Sequence, residues 1–384
     1  MVLANVPSGL IVGFEPLPRS PGGIARYTLE LLTALTQEKS SGVGVSHTFV
    51  HEQLRAVAAR AWAGGIRAGF GANINAKVND RATATFHSTS VLAPPRGSHP
   101  LVVTIHDTVP YTHPETLTAH GAAWHRTMIA RAARDADALV VPTQAVAESL
   151  MRELIRTGRV PASVASALGE RIHVAGGAAS LEPATDDEAR DIRDAFDIGA
   201  RDYIVFVGTI EPRKGLDVLV RAVASRSDVD LVVVGAQGWG NIDLRHLADV
   251  VQLDADRLIV TGAVHDSAVA SIVQGARALV LPSRAEGFGL PLIESMNLGT
   301  PVVLSNDSAL MEVAGGAGII APILGTGEAI DDVTRILNRA IDESLDRRDE
   351  LVAAGHVRAA EFSWAKTANR VAEIHRQLTT HSSD

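Results

Sequence analysis

Leu281–Met296 runs L-P-S-R-A-E-G-F-G-L-P-L-I-E-S-M, directly after the apolar strand candidate Ala278–Leu281. The order of residue types is that of a buried strand end, a glycine-broken turn and a helix start. Gly287 and Gly289 let the backbone bend and approach a ligand with no Cβ in the way. Pro291 suits the first helical position, where its missing N–H is no loss. Free backbone N–H groups near Phe288, Gly289 and Leu290 then point out of a helix N-terminus, a site for anionic or hydroxyl-rich ligands. Glu286 and Glu294 stand eight positions apart, the first on the loop and the second in the first helical turn. Carboxylates only accept hydrogen bonds, which suits the neighbouring hydroxyls of a sugar or ribose. An arbitrary pair at this spacing is usually two solvated acids on a capped helix. The glycines, the proline and the preceding strand favour the ligand site.

The same strand–turn–helix unit recurs along the chain. Strand candidates are Leu10–Phe14, Thr83–Phe86, Leu101–Ile105, Ala138–Val141 and Ile172–Ala175, then Tyr203–Val207, Asp230–Val234, Leu258–Thr261, Ala278–Leu281 and Pro301–Leu304. Runs as apolar as L-V-V-T-I and Y-I-V-F-V belong in parallel sheets covered on both faces. Helices are expected over Gly23–Leu35, Ala119–Arg134, Ala145–Thr157, Gly215–Ala224, Asp266–Gly275 and Pro291–Leu298, with a closing helix over Phe362–Leu378. Alternating strands and helices imply doubly wound sheets with right-handed crossovers. The fold class is therefore α/β: two Rossmann-like domains of about five strands each, facing each other across a cleft. A turn to Gly, Ala, Asp and Glu near residues 176–200 sets the division at 1–180 and 181–361, with 362–384 packing back on the N-terminal domain.

Composition narrows the function classes. A length of 384 residues suggests two domains. Cysteine is absent, which removes disulfides and thiolate metal sites and points to a reducing cytoplasm. Met1–Gly13 carries no basic stretch before an apolar run, so no secretion signal is expected. No run approaches the roughly 18 apolar residues of a membrane span. A net charge of −9 argues against nucleic acid as partner. Glu52–Lys77 holds Arg55, Arg60, Arg67 and Lys77 beside Trp62, a pattern that suits a peripheral membrane patch. Gly64, Gly65, Gly69 and Gly71 interrupt it and favour an ordinary surface segment.

Three further constellations fall at strand ends. In R-S-P-G-G-I-A-R-Y, Gly22 and Gly23 open a helix whose N–H groups could approach a phosphate, or simply make a helix-entry turn. In T-I-H-D-T-V-P-Y, His106 and Asp107 leave a strand where a ligand would lie. There a neutral imidazole could donate to a hydroxyl or phosphate oxygen, or the pair could be satisfied by backbone, with Asp107 capping a turn. In V-G-T-I-E-P-R-K-G-L-D-V-L, Gly208 ends a strand, and Arg213 and Lys214 stand at a helix entry, which suits a diphosphate. The sequence shows no H-E-x-x-H pattern and no D-x-D at a strand end, so no metal is expected.

Taken together, F-V-G-T-I-E-P-R-K-G-L-D-V-L and P-S-R-A-E-G-F-G-L-P-L-I-E-S-M-N-L-G-T-P-V-V, preceded by P-G-G-I-A-R-Y and T-I-H-D-T-V-P, resemble the retaining GT-B glycosyltransferases of the large glycogen-synthase-like family, family four. Within it the chain is most similar to bacterial mannosyltransferases of the O-antigen and cell-envelope type. The resemblance implies a donor site in which Glu286 lies near the sugar hydroxyls and Glu294 holds the ribose. The amides around Gly287, Phe288, Gly289 and Leu290 would lie near sugar and phosphate. Arg213 and Lys214, after Gly208, would meet the diphosphate, with Gly22 and Gly23 approaching it from the other domain and His106 beside the transferred sugar. Many relatives carry arginine directly after the strand-ending glycine. Here that residue is Thr209, so the bidentate role passes to Arg213. The resemblance further implies a nucleotide-sugar donor, GDP-mannose before a UDP-sugar, a saccharide or lipid-linked acceptor, and no cofactor. A nucleotide-sugar epimerase of the same fold is the rival class.

Overall fold

The computed structural model describes residues 9–14, 22–37, 44–49, 85–93, 96, 99–199, 201–323 and 329–380. The expected membrane patch at Glu52–Lys77 lies outside them. The chain divides into two compact units, one of residues 1–112, 119–177 and 364–384, the other of 113–118 and 178–363. A simple division at one point misses the short segment 113–118, which belongs with the second unit although its flanks belong to the first.

The first unit holds β1 (Gly9–Phe14), β2 (Gly44–Phe49), β3 (Thr85–Ser88), β4 (Leu101–Thr104), β5 (Ala138–Val141) and β6 (Ile172–Val174), in the order β2-β1-β3-β4-β5-β6. The second holds β7 (Tyr203–Val207), β8 (Asp230–Val234), β9 (Leu258–Gly262), β10 (Ala278–Leu281), β11 (Val302–Ser305) and β12 (Ile319–Ala321), in the order β12-β11-β10-β7-β8-β9. Every strand pair is parallel. All residues of β4, β5, β8, β10 and β11 are buried, as sheets covered on both faces require. The chain reverses direction across each sheet between β1 and β3 and between β7 and β10. Those are the points where open α/β sheets bind ligands, beyond the carboxyl ends of the strands.

Each sheet has six described strands where about five were expected. The additions are β2, G-V-S-H-T-F, whose polar residues hide an apolar run, and β12, three residues after the glycines 315, 316 and 318. Residues 176–200 are more than a connection. They include the helix Asp186–Ala195, opened by a capping box in which Thr185 and Glu188 satisfy each other's backbone. The closing helix, Trp364–Thr380, belongs to the first unit, where Ala368, Val371 and Ile374 share a core with Tyr27, Leu31 and Val140. Among the described residues no helix is long and apolar enough to cross a membrane.

That helix also brings a second imidazole to β3. His87 Nε2 meets Thr104 Oγ1 at 2.8 Å, His375 Nε2 lies 3.4 Å from His87 Nδ1, and His375 Nδ1 bonds Thr85 Oγ1 at 2.5 Å. Burial, and then the nearby His106, lower His87 to about 3. Burial and His87 hold His375 well below the ordinary value. Both are neutral when folded, and the unfolded chain takes up their protons below about pH 6.5. Stability from this source is therefore full above that pH and declines as pH falls, by up to ~1.4 kcal/mol per pH unit for each ring. Denaturant midpoints between pH 7.5 and 5 should show the decline, and His375→Gln should flatten it. An unchanged slope in that variant contradicts the neutral pair.

Candidate active site

The second unit's site is built where the loops after β7 and β10 touch. After β7, Gly208 N–H still donates to Val234 O at 2.9 Å, and Pro212–Lys214 form a single 3₁₀ turn. Gly215 then takes φ +70° and starts the helix Leu216–Ala224. A Cβ there would stand 2.1 Å from the Pro282 carbonyl oxygen, so only glycine lets the two loops meet. Arg284 N–H donates to Arg213 O at 2.6 Å, joining them through the backbone.

Side chains complete the junction. Lys214 Nζ lies 2.5 Å from Glu286 Oε1, Arg213 Nη1 lies 2.9 Å from Glu286 Oε2, and Ser283 Oγ donates to Oε1 at 2.8 Å. Arg213 Nε reaches Glu211 Oε1 at 2.6 Å, and Nη1 also donates to Ala285 O at 2.8 Å. Two cations and two carboxylates thus form one nearly buried cluster, with the Glu286, Lys214 and Arg213 side chains 7%, 11% and 17% exposed. Burial alone would raise the Glu286 carboxyl; Lys214, Arg213 and their hydrogen bonds reverse this and hold it at about 2. Glu286 is therefore an anion throughout the neutral range. Burial and the like charge of Arg213 pull the Lys214 ammonium down, against the hold of Glu286 and Glu211.

This geometry changes two expectations. Arg213 spends two of its three nitrogens on Glu211, Ala285 O and Glu286, so it braces the junction where a forked grip on diphosphate was expected. Lys214 is the cation with donors to spare, since an ammonium has three. Glu294 lies one residue further into the helix than expected, just past the first turn, because the helix runs Leu290–Asn297 and places Pro291 second. It is buried, 4% exposed. Gly289 caps that helix at φ +84°, and a Cβ there would overlap Leu310 Cδ2 at 2.5 Å. The Phe288 ring is core, set edge-on to Phe362 with centroids 5.7 Å apart, so its backbone is the part able to meet a ligand. Gly287 and Leu290 flank it, half-buried.

Four supporting residues escaped sequence reasoning. Glu211 and Ser283 pair with the cluster as described. Arg284 spans from Pro212 O (2.7 Å) to Asp217 (2.8 and 3.1 Å). Asp307 accepts from Ala309 and Leu310 N–H at 3.1 and 3.0 Å and from the Glu286 backbone, while burial and then Glu286 move its carboxyl up to about 6. The S-N-D-S stretch at 305–308 was a helix-cap signal. Its link to the Glu286 loop depends on β11 lying beside β10 and had no local sign.

In the first unit, His106 follows β4 and its Nε2 lies 2.8 Å from Thr89 O. A carbonyl only accepts, so Nε2 carries the proton and Nδ1 is the acceptor. The expected donation from His106 to a ligand is thus already made to backbone. Burial lowers its basicity, opposed by the Thr89 bond and Asp107. Asp107 Oδ1 accepts from Val109 N–H at 3.0 Å, as a turn cap. Gly22 and Gly23 lie at the start of the helix Gly23–Gln37, exposed, with nothing among the described residues within 4 Å of either added Cβ. Among the described residues, packing asks for glycine at neither position.

Residues 188–356 match the family of group 1 glycosyl transferases, a span that contains both loops of the charged cluster and both glutamates. The chain carries a group 1 glycosyl transferase domain. It is 30% identical over 202 residues to O-antigen chain mannosyltransferase B of Escherichia coli, a match over 51% of each chain, so it spans about half the length of that relative. It is 29% identical over 293 residues to alpha-D-kanosaminyltransferase of Streptomyces kanamyceticus, covering 73% of this chain and 71% of that one. Its fold is GT-B: the Anabaena protein HepE, solved with UDP and glucose, superposes with a TM-score of 0.66 at 18% identity over 97% of this chain and all of that one.

Proposed function

We propose that the chain transfers mannose from GDP-mannose to a hydroxyl of a saccharide or lipid-linked acceptor, with retention and without a metal ion. The observation that carries the transferase reading is the Lys214–Glu286–Arg213 cluster at the β7–β10 switch point of a group 1 glycosyl transferase domain. The mannosyl choice is supported by the O-antigen mannosyltransferase relative. The acceptor class, an envelope polysaccharide or glycolipid, has the same support. The UDP found with HepE favours a second reading, a UDP-sugar donor.

In this proposal the second unit's loops hold the donor. Glu294 takes the ribose hydroxyls, and the amides around Gly289 take sugar and phosphate. Lys214 meets the diphosphate, where charge grows as the bond from the anomeric carbon to the phosphate oxygen breaks. Glu286 stays ionised and clamped between two cations, so it is a poor proton donor and a poor nucleophile. The acceptor oxygen therefore attacks on the face that the diphosphate leaves, and the departing phosphate oxygen takes the acceptor proton. A glycosyl adduct trapped on any side chain would overturn that route.

A thermal-shift panel of GDP, UDP and ADP tests the donor. A ligand at a hundred times its dissociation constant stabilises by about 2.7 kcal/mol, and GDP should give the largest shift. A shift with UDP alone removes the mannose assignment, and no shift with any of the three removes the transferase reading. Incubation with GDP-mannose and no acceptor separates the epimerase, which would convert the sugar nucleotide unaided.

A further inference from the structure

The His106 imidazole is held from more than one side. Nε2 donates to Thr89 O, and Thr89 Oγ1 lies 2.9 Å from Thr28 Oγ1 on the helix Gly23–Gln37. The preceding residue on that helix, Tyr27, sets its ring against the imidazole at 84°, centroids 5.1 Å apart. Tyr27 is itself fixed. Its hydroxyl donates to Ala175 O at 3.1 Å, just beyond β6, and Trp364 packs edge-on against its ring at 5.6 Å. It is 4% exposed, and burial raises its phenol well above the ordinary value, so the hydroxyl keeps its proton.

A side chain with two hydrogen-bonding nitrogens needs both a defined tautomer and a defined ring plane to present one chosen atom to substrate. The Thr89 carbonyl supplies the tautomer, and a ring wall at a right angle supplies the plane. The titratable groups acting on His106 are Asp107, whose Oδ1 is spent on the Val109 N–H, and the neutral His87.

We propose that Tyr27 is a positioning residue for His106: its ring holds the imidazole in the plane that keeps Nε2–H on Thr89 O, and so presents Nδ1 as an acceptor to a substrate hydroxyl. The hydroxyl's identity, on donor sugar or acceptor, rests on the transferase reading; the positioning does not.

The test uses the full chain labelled with ¹⁵N-histidine. The His106 signals, assigned by their loss in His106→Gln, should show a neutral ring protonated at Nε2 alone. Tyr27→Phe keeps the ring wall and should keep that tautomer, with turnover within about threefold of wild type. Tyr27→Leu should give mixed tautomers and lower kcat roughly ten- to a hundredfold, the scale of a small misplacement, with the KM for the donor unchanged. Tyr27→Met, which fills the space without a ring, replaces it where Leu impairs folding. A His106 protonated at Nδ1 in wild type, or an unaltered tautomer in both ring-less variants, overturns the proposal. A chain that transfers no sugar while its His106 tautomer depends on Tyr27 supports the positioning and counts against the transferase reading alone.

Discussion

Replacing Lys214 by alanine is expected to lower turnover by about a hundredfold, some 3 kcal/mol of transition-state stabilisation, the scale of losing one key charge donor. The physical basis is its place in the cluster. Arg213 is already committed to Glu211, Ala285 O and Glu286, so Lys214 is the cation whose remaining donors can follow the charge that grows on a leaving diphosphate. The loss should not be a folding defect. Glu286 keeps Arg213 Nη1 and Ser283 Oγ, so it is not stranded as an unpaired buried charge, which would destabilise by about 3–5 kcal/mol. Lys214→Met keeps the apolar stem and should lose as much turnover as Lys214→Ala, separating charge from packing. Single-turnover rates measured beside thermal unfolding decide the matter. A change in turnover under threefold would remove Lys214 from the chemistry.

Gly215→Ala is expected to act in the opposite sense, on the fold first. The left-handed conformation alone disfavours a side chain by about 1–2 kcal/mol, and the added Cβ would sit 2.1 Å from the Pro282 carbonyl. That contact is backbone and cannot rotate away, so the loops after β7 and β10 must part. A loss above ~3 kcal/mol places this among the severe single substitutions, and melting should fall by roughly 10 °C. Gly23→Ala is the contrast: its Cβ meets nothing among the described residues within 4 Å, and stability should stay within about 0.5 kcal/mol. Differential scanning calorimetry of the two variants compares them directly. Equal melting temperatures would mean that the junction is not held by glycine.

The apolar strands and the glycine-punctuated turns after β7 and β10 were legible, because each depends on neighbours within a few residues. So were Arg213, Lys214 and Glu286 as charged groups at strand ends. Their pairing was not: Arg213 and Glu286 are 73 residues apart and meet only because β7 lies beside β10. Locally Arg213 is a free fork, while in the fold it pairs with Glu211 and Glu286. Asp307 was hidden for the same reason, its local cap being ordinary and its reach to Glu286 coming from a neighbouring strand. His106 shows the reverse error. Its position at the strand end was correct as read, while the carbonyl that fixes its tautomer belongs to Thr89, 17 residues earlier. The strand β2 and the short β12 carried too little apolar pattern to register.

The function rests on the charged cluster receiving the diphosphate of a nucleotide sugar. Calorimetric titration of GDP-mannose into the wild-type chain and into Lys214→Ala measures that contact without any acceptor. Saturable binding to wild type, weakened at least tenfold in the variant (about 1.4 kcal/mol), is the expected result. Equal affinity for the two chains would show that the cluster only braces the loops and that the diphosphate, if bound, lies elsewhere.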